Sequence, residues 1–559
     1  MTDNLHLLEK HFDTAFAAPD GVKKLRELIL TLAMQGKLVP QDPNDEPASE
    51  LLKKIEAEKQ RSIQEGKLKK AKPLPEIKPE EIPYDLPEGW EWVRLGNISI
   101  FTNGFAFKSS LFQDSGIGII RIGDISNEMV IKDRMKYIDP LYLDKVDLKF
   151  QVKFNDLLIA MSGATTGKLG FNTLEETFLL NQRVGKIDSI KVDKIYIFRF
   201  LSTQIQQHLT ISAGSAIPNL STEQINDTII PLPPLAEQKR IVEKIDRLMA
   251  GCDELEQKRS LRDQKRLTVH TAAINRLLNS PEDDGRAWQF IAQNFKELYS
   301  TKENITELRK AILQLGVMGK LVPQDPNDEP ASELLKAIEV EKERLIQDGK
   351  IKKSKPLPEI KPDEIPYDLP EGWEWVRLND IGIWKSGTTP SRNNGSYYGG
   401  NIAWVKSGEV KQGRIFETDE TITQEALRNC SLEINPVGSV LVAMYGANIG
   451  DVGILEIEAT TNQAVCACQT YKSINNIFLS YLLTELKQNF VDQGAGAAQP
   501  NISRQKIIHT VFAIPPLEEQ KRIVEKIDRL MDLCDRLEQH LEAATHQQTR
   551  LLEAVMALV

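Results

Sequence analysis

Apolar residues recur at steps of four and three in two places along the chain: Ile241, Ile245, Leu248, Cys252 and Leu255, then Ile523, Ile527, Leu530, Cys534, Leu537 and Leu541. That spacing puts each set on one helix face and forms the a/d stripe of a coiled-coil seam. The first helix is expected to reach about Leu278, with its seam faltering over RSLRDQKR; about 45 residues of helix would span roughly 65 Å. Leu7, Leu8, Phe12, Leu25, Leu28, Ile29 and Leu32 predict another helix over residues 5–37, stopped at Gly36. Its counterpart, carried by Phe295, Leu308, Ile312 and Leu315, runs into Gly319. After each comes the turn-rich PQDPNDEP, then a short charged helix, at residues 48–64 in the first copy. The Pro-rich KLKKAKPLPEIKPEEIP then predicts an extended strap across a surface. From Trp90 the pattern changes to short β-type runs such as GIGIIRIGDI and DLLIAMSGATTGKLG, and the second half keeps this skeleton in IAWVKSGEV and VLVAMYGANIGDVG. Helical patterns at residues 196–208 and 477–490 close the two regions.

These elements are duplicated. PPLAEQKRIVEKIDRLM at residues 233–249 returns at 515–531 with one change, Ala236 to Glu518. GKLVPQDPNDEPASELL occurs at 36–52 and 319–335, and PLPEIKPEEIPYDLPEGWEWVRL at 73–95 returns at 356–378 with only Glu80 altered, to Asp363. A tandem repeat follows, with the chain dividing into an N-terminal helical segment (1–37), a charged helix and strap (38–85), an α+β domain (86–232), a central helical spacer (233–320), a second charged helix and strap (321–368), a second α+β domain (369–514) and a C-terminal long helix (515–559). The scaffold repeats almost letter for letter, while the two α+β domains share only a skeleton. Two identical partners on two identical scaffolds, with two heads addressing different targets, would account for this contrast.

Composition narrows the class. A chain of 559 residues needs several cores, and 41% hydrophobic with 27% charged residues is ordinary for a soluble protein. No apolar run reaches eighteen residues and the N-terminus is charged, so neither a membrane span nor a secretion signal is expected. The 5 cysteines include no CxxC pair, which fits reduced thiols in a cytoplasmic protein. With a net charge of −10, any DNA-binding surface must be a confined basic groove. GATTGKL is one residue short of a phosphate loop and has Leu169 where the magnesium-binding hydroxyl belongs; a Gly-permitted turn between strands is the better reading. The 7 histidines are scattered, and no HExxH, methyl-donor FxGxG loop or metal-spaced Cys/His cluster occurs. The chain does not read as an enzyme in its own right.

GSAIPNLSTEQI and GAAQPNISRQKI are each followed closely by PLPPLAEQKRIVEKID or IPPLEEQKRIVEKID. With TPSRNNGSYYGGNIAWVKSGEV opening the second domain, and with the order of helix, variable domain and long helix repeated, the chain resembles the specificity (S) subunit of type I restriction–modification enzymes. The first domain departs from that opening, where FTNGFAFKSSLFQDSGIGIIRIGDI lacks the Tyr-rich stretch. The resemblance implies an α+β fold: two target-recognition domains separated by two long antiparallel helices, a coiled coil, in a pseudo-twofold tandem repeat. It implies a non-catalytic reader of a bipartite, asymmetric double-stranded DNA target, whose helices set the half-site spacing. It also implies two methyltransferase (M) subunits that use S-adenosylmethionine to methylate adenine N6, and two restriction (R) subunits that supply ATP-driven translocation. S-adenosylmethionine, ATP and Mg then belong to those partners, and no cofactor to this chain. The rival readings are a self-contained DNA methyltransferase and a coiled-coil protein-interaction scaffold.

Base edges are read by Arg, Lys, Asn and Gln, while Ser, Lys and backbone amides hold phosphates. In the first domain the polar loops offer Asn103, Lys108, Ser109, Arg121, Lys168, Gln182, Arg183 and Ser215. In the second they offer Ser391, Arg392, Asn393, Asn394, Tyr397, Tyr398, Lys406, Asn448, Asn462 and Gln499. Tyr397 and Tyr398 read equally as stacking residues or as a half-buried strand-edge pair. Lys239, Arg240, Lys521 and Arg522 on the long helices are expected to pair with acids of a partner or of the scaffold.

Overall fold

A computed structural model describes the chain except for residues 1–11, 71, 127, 213–218, 280–284, 354–356, 495–499 and 558–559. It forms two units, residues 1–261 with 544–559 and residues 262–543. Six helices frame them: α1 (Gly21–Met34), α2 (Ala48–Gln64), α3 (Leu235–Asn279), α4 (Lys302–Val317), α5 (Ala331–Gln347) and α6 (Leu517–Met556). The unit boundaries cut both long helices, so α3 starts in the first unit and ends in the second, and α6 the reverse. Among the described residues no helix is long and apolar enough to cross a membrane.

The helix expected over residues 5–37 is interrupted. Residues 12–16 are helical, residues 17–20 form a turn, and α1 starts at Gly21. Pro19 has no N–H to continue a helix, and the chain folds back so tightly that a Cβ on Gly21 would lie 2.1 Å from the Phe16 carbonyl oxygen. Leu7 and Leu8 lie outside the described residues.

In the first unit Val22, Ile29 and Ala33 of α1 share a buried cluster with Ile241, Ile245 and Cys252 of α3. On its other side α1 sets Leu28 in a cluster with Leu552 and Val555 from the end of α6. Arg26 fastens α1 to α3, reaching Asp253 at 2.6 Å and Glu256 at 3.0 Å. The second unit repeats this bundle. Ile305, Ile312 and Leu315 of α4 cluster with Ile523, Ile527 and Cys534 of α6 and with Ile274, Leu277 and Leu278 from the end of α3. There Arg309 reaches Asp535 at 2.7 Å and Glu538 at 3.1 Å. The leading part of each stripe is thus buried in a bundle with a short helix of its own unit. The first stripe has already reached the surface at Leu255, 36% exposed, and Leu261 is 51% exposed where the periodicity falters.

Each α+β domain is entered and left through one antiparallel strand pair, Glu91–Arg94 with Ile229–Leu232 and Glu374–Arg377 with Val511–Ile514. The exit strand runs directly into the Pro-Pro start of a long helix, so the pair sets the domain on that helix. The first domain builds a six-stranded sheet that includes β1 (Ser99–Asn103), β2 (Leu157–Ala160), β3 (Leu169–Phe171) and β4 (Val184–Ser189) in the order β1-β4-β2-β3, beside a four-stranded sheet. The second has β5 (Gly382–Ser386), β6 (Val440–Ala443), β7 (Val452–Leu455) and β8 (Val465–Thr470) in the order β5-β8-β6-β7, in a five-stranded sheet beside a three-stranded one.

The repeated sequence blocks form one joint built twice. Buried Glu237 accepts hydrogen bonds from Trp90 Nε1 at 3.0 Å and Gln41 Nε2 at 3.1 Å, and Glu519 accepts from Trp373 and Gln324 at the same distances. Gln238 Oε1 accepts the Asp193 amide at 2.9 Å, and Gln520 accepts the Asn475 amide at 2.9 Å. Both amides belong to residues whose side chains cap the domain's closing helix. Buried Arg94 donates to the carbonyls of Pro75 and Asp227 and pairs with Glu81 at 3.0 Å, and Arg377 does the same with Pro358, His509 and Glu364. That pins the Pro-rich strap to the domain. Of the long-helix cations, Arg240 pairs with Asp45 and Arg522 with Asp328, both at 2.6 Å, while Lys521 reaches Glu518.

Candidate nucleic-acid interface

Because β4 runs antiparallel to both neighbours, its first residues lie beside the last residues of β1 and β2. Gly185 faces Asn103, and Val184 faces Ala160. Three loops therefore meet at one end of the sheet. The turn before β4 is clamped through its backbone: the Gln182 amide donates to Phe105 O at 2.9 Å, the Val184 amide to Asn181 O at 2.8 Å and the Met161 amide to Arg183 O at 2.9 Å. Gly104 makes this approach possible, since a Cβ there would lie 2.1 Å from Asn181 O. The end of the IPNLS motif docks alongside. Asn219 bridges Ser162, and the Leu220 amide donates to Met161 O at 2.8 Å.

The result is an open cleft of about 650 Å³ lined by Asn103, Met161, Ser162, Gln182, Arg183, Asn219, Leu220, Ser221 and Thr222. All but two of these side chains are polar, and Arg183 pairs with no acid among the described residues. The structure thus brings together three sequence candidates, Asn103, Gln182 and Arg183. It adds Ser162, Asn219, Ser221 and Thr222, which were not singled out, although the recurrence of Pro-Asn-x-Ser in both copies marked two of them.

The same end of the second sheet is built on the same clamps. Ser386 faces Cys466, Ala443 faces Val465, the Met444 amide donates to Ala464 O at 2.7 Å, and Asn501 bridges Tyr445. The side chains differ: Ala464 replaces Arg183 and Tyr445 replaces Ser162. Asn462 spends its side-chain oxygen on the Ala464 amide at 3.1 Å, leaving Gln463 exposed next to it.

The remaining candidates are dispersed. Lys108 and Ser109 are exposed on the loop after β1. Arg121 pairs with buried Asp124 at 3.3 Å and donates to the Arg134 carbonyl. Lys168 is exposed on the β2–β3 turn, where Gly163 and Gly167 have φ of 77° and 83°, a strand-to-strand turn and not a phosphate loop. Asn448 lies on the matching turn of the second domain, beside Asp451, which pairs with Lys487 at 2.6 Å.

In the opening of the second domain the cations are internally engaged. Glu420 receives Arg392 at 2.6 Å and Lys406 at 3.0 Å, and these hydrogen bonds hold its carboxyl down to about 2. Arg392 also lies 4.5 Å from the Tyr398 ring centroid and 5.2 Å from that of Trp404. Tyr397 and Tyr398 form the half-buried pair, the Tyr398 hydroxyl donating to Pro390 O at 2.6 Å. Ser391 and Asn393 are exposed, and Asn394 caps the Ser396 amide. Ser215 and Gln499 lie outside the described residues. No group of His, Cys, Asp and Glu among the described residues could hold a metal ion.

Comparison of the sequence with known proteins agrees with the duplicated architecture. The sequence profile described as the type I restriction modification DNA specificity domain matches residues 87–262 and again 370–545. The chain is 36% identical to the type I restriction enzyme EcoAI specificity subunit of Escherichia coli, over 96% of this chain and 93% of that protein. It is 33% identical to the EcoEI specificity subunit of the same organism, with the same coverage. A crystal structure of the HsdS subunit from Thermoanaerobacter tengcongensis aligns over 85% of this chain and 97% of that one, at 18% identity and a TM-score of 0.44. The chain belongs to the type I restriction–modification specificity subunits, with the family's DNA specificity domain present twice.

Proposed function

We propose that this chain is the non-catalytic, DNA-reading subunit of a type I restriction–modification enzyme, and that residues 86–232 and 369–514 each read one half of a split, asymmetric duplex target. The observation that carries this reading is a contrast between joint and cleft. Trp90–Glu237 and Gln238–Asp193 recur at equal distances as Trp373–Glu519 and Gln520–Asn475. The sheet ends of the two domains, built on matching backbone clamps, present different side chains, Arg183 against Ala464 and Ser162 against Tyr445, as two readers of unlike half-sites would.

The long helices support a ruler. Each begins in one unit and ends in the other, as two antiparallel helices joining the heads would. The PQDPNDEP segment, exposed except at Asp45 and Asp328, stands identically in both copies and suits two copies of one partner. In this reading those partners are methyltransferase subunits carrying S-adenosylmethionine, with restriction subunits carrying ATP and Mg. Methylation at adenine N6 requires the base to leave the stack, and a reader holding the duplex in register positions the base for a partner.

Mapping methylated adenines in a host genome with and without this chain tests the proposal. A two-part motif present only with the chain is expected. Chain-independent methylation, or one continuous motif, would overturn it.

A further inference from the structure

The clamped turn before β4 holds the backbone of Arg183 and leaves its guanidinium free over the cleft. The backbone is fixed on both sides by the Met161, Gln182 and Val184 amides. Arg94, Arg121 and Arg199 of the same unit each sit on a carboxylate, at 3.0, 3.3 and 3.0 Å. Arg183 does not, among the described residues, and it is exposed. A fixed backbone carrying an uncommitted reading group is what discrimination between bases requires, because the cost of placing that group has been met in folding.

The second domain supplies an internal control. Its turn is held by the same two bonds, Met444 amide to Ala464 O at 2.7 Å and Val465 amide to Asn462 O at 3.1 Å. Its Gly387 makes a similar close approach one residue earlier in the turn, with a Cβ there 2.0 Å from Thr461 O. The arginine side chain is missing, Ala464 standing where the first domain has Arg183, and Tyr445 stands where it has Ser162.

We infer that Arg183 reads a guanine in the major groove of the first half-site, and that the second domain has no guanine reader at the matching position. This rests on the reading of the two domains as DNA readers. The planar fork of arginine presents parallel N–H donors that match guanine O6 and N7, both acceptors. Adenine sets a donor beside its acceptor, and each pyrimidine offers a single polar group, so no other base satisfies both arms. Gln182 and Asn103, lining the same cleft, are the side-chain types that match adenine N6 and N7, which places their contacts on neighbouring base pairs.

The test uses the full complex with its methyltransferase partners, comparing methylated motifs and binding to duplexes for wild type, Arg183→Ala and Arg183→Lys. Both variants should relax one base pair of the first half-site, with discrimination for guanine falling by about ten- to a hundredfold, and leave the second half-site unchanged. Arg183→Lys should keep more affinity at low salt than Arg183→Ala while losing the same discrimination. A full motif retained by Arg183→Ala would overturn the assignment alone. So would Arg183→Ala binding more weakly to all sequences alike, since that would mark a phosphate contact. A wild-type complex with no two-part motif would overturn the DNA reading and this assignment together.

Discussion

Replacing Gln238 or Gln520 with Leu removes the glutamine contacts of the joint between head and long helix while keeping the side chain's bulk. Each glutamine is fully buried and bridges two backbone groups. Gln238 accepts the Asp193 amide and donates to Pro233 O at 2.9 Å, and Gln520 accepts the Asn475 amide and donates to Pro515 O at 3.0 Å. Leu leaves one amide and one carbonyl without a partner in each case. Two lost bonds with desolvated ends amount to about 2–4 kcal/mol, or roughly thirty- to a thousandfold in the local opening equilibrium. Hydrogen-exchange mass spectrometry on peptides covering residues 190–196 and 472–478 reads that opening directly. Gln238→Leu should deprotect the first peptide and Gln520→Leu the second, each by that factor and each without affecting the other. Wild-type protection in both variants would refute the joint.

Gly104→Ala would drive a Cβ into Asn181 O and displace the turn that carries Gln182 and Arg183. Selection of duplexes by the complex should then show a degraded first half-site and an intact second one. Burial pushes the Glu485 carboxyl up from 4.5 to about 7, so the folded chain holds that proton more tightly than the unfolded chain. The contribution of this one carboxyl to the stability of the second unit is therefore greatest below about pH 4.5 and falls by roughly 1–3 kcal/mol as pH rises to about 7. Glu485→Gln should flatten this slope in melting curves taken at pH 5 and pH 8; an unchanged slope would contradict it.

Much of this molecule was legible in its sequence because duplicated segments mark duplicated jobs. The Trp–Glu and Gln–amide contacts explain why EQKR and EGWEWVRL recur, and the Arg94 and Arg377 contacts explain the Pro-rich strap. Part of that near-identity thus serves internal packing and not partners alone. The cleft was legible only in part. Asn103, Ser162, Arg183 and Asn219 come from four separated segments, joined because β4 inserts between β1 and β2, and no spacing rule carries that strand order. Arg392 and Lys406 stand among the DNA-contact candidates because Glu420, which engages both, follows them by 28 and 14 residues. The break before α1 was readable from Pro19, but the apolar periodicity on either side of it concealed the turn.

In the proposed function, helix length fixes the distance at which two unlike readers are held. Seven residues, two helical turns, inserted into both long helices at Leu261–Arg262 and Ala543–Ala544 would lengthen each by about 10 Å, the rise of about three base pairs. Mapping the methylated motif of this variant should return both half-sites unaltered, separated by about three more base pairs. An active variant methylating at the original spacing would contradict the account.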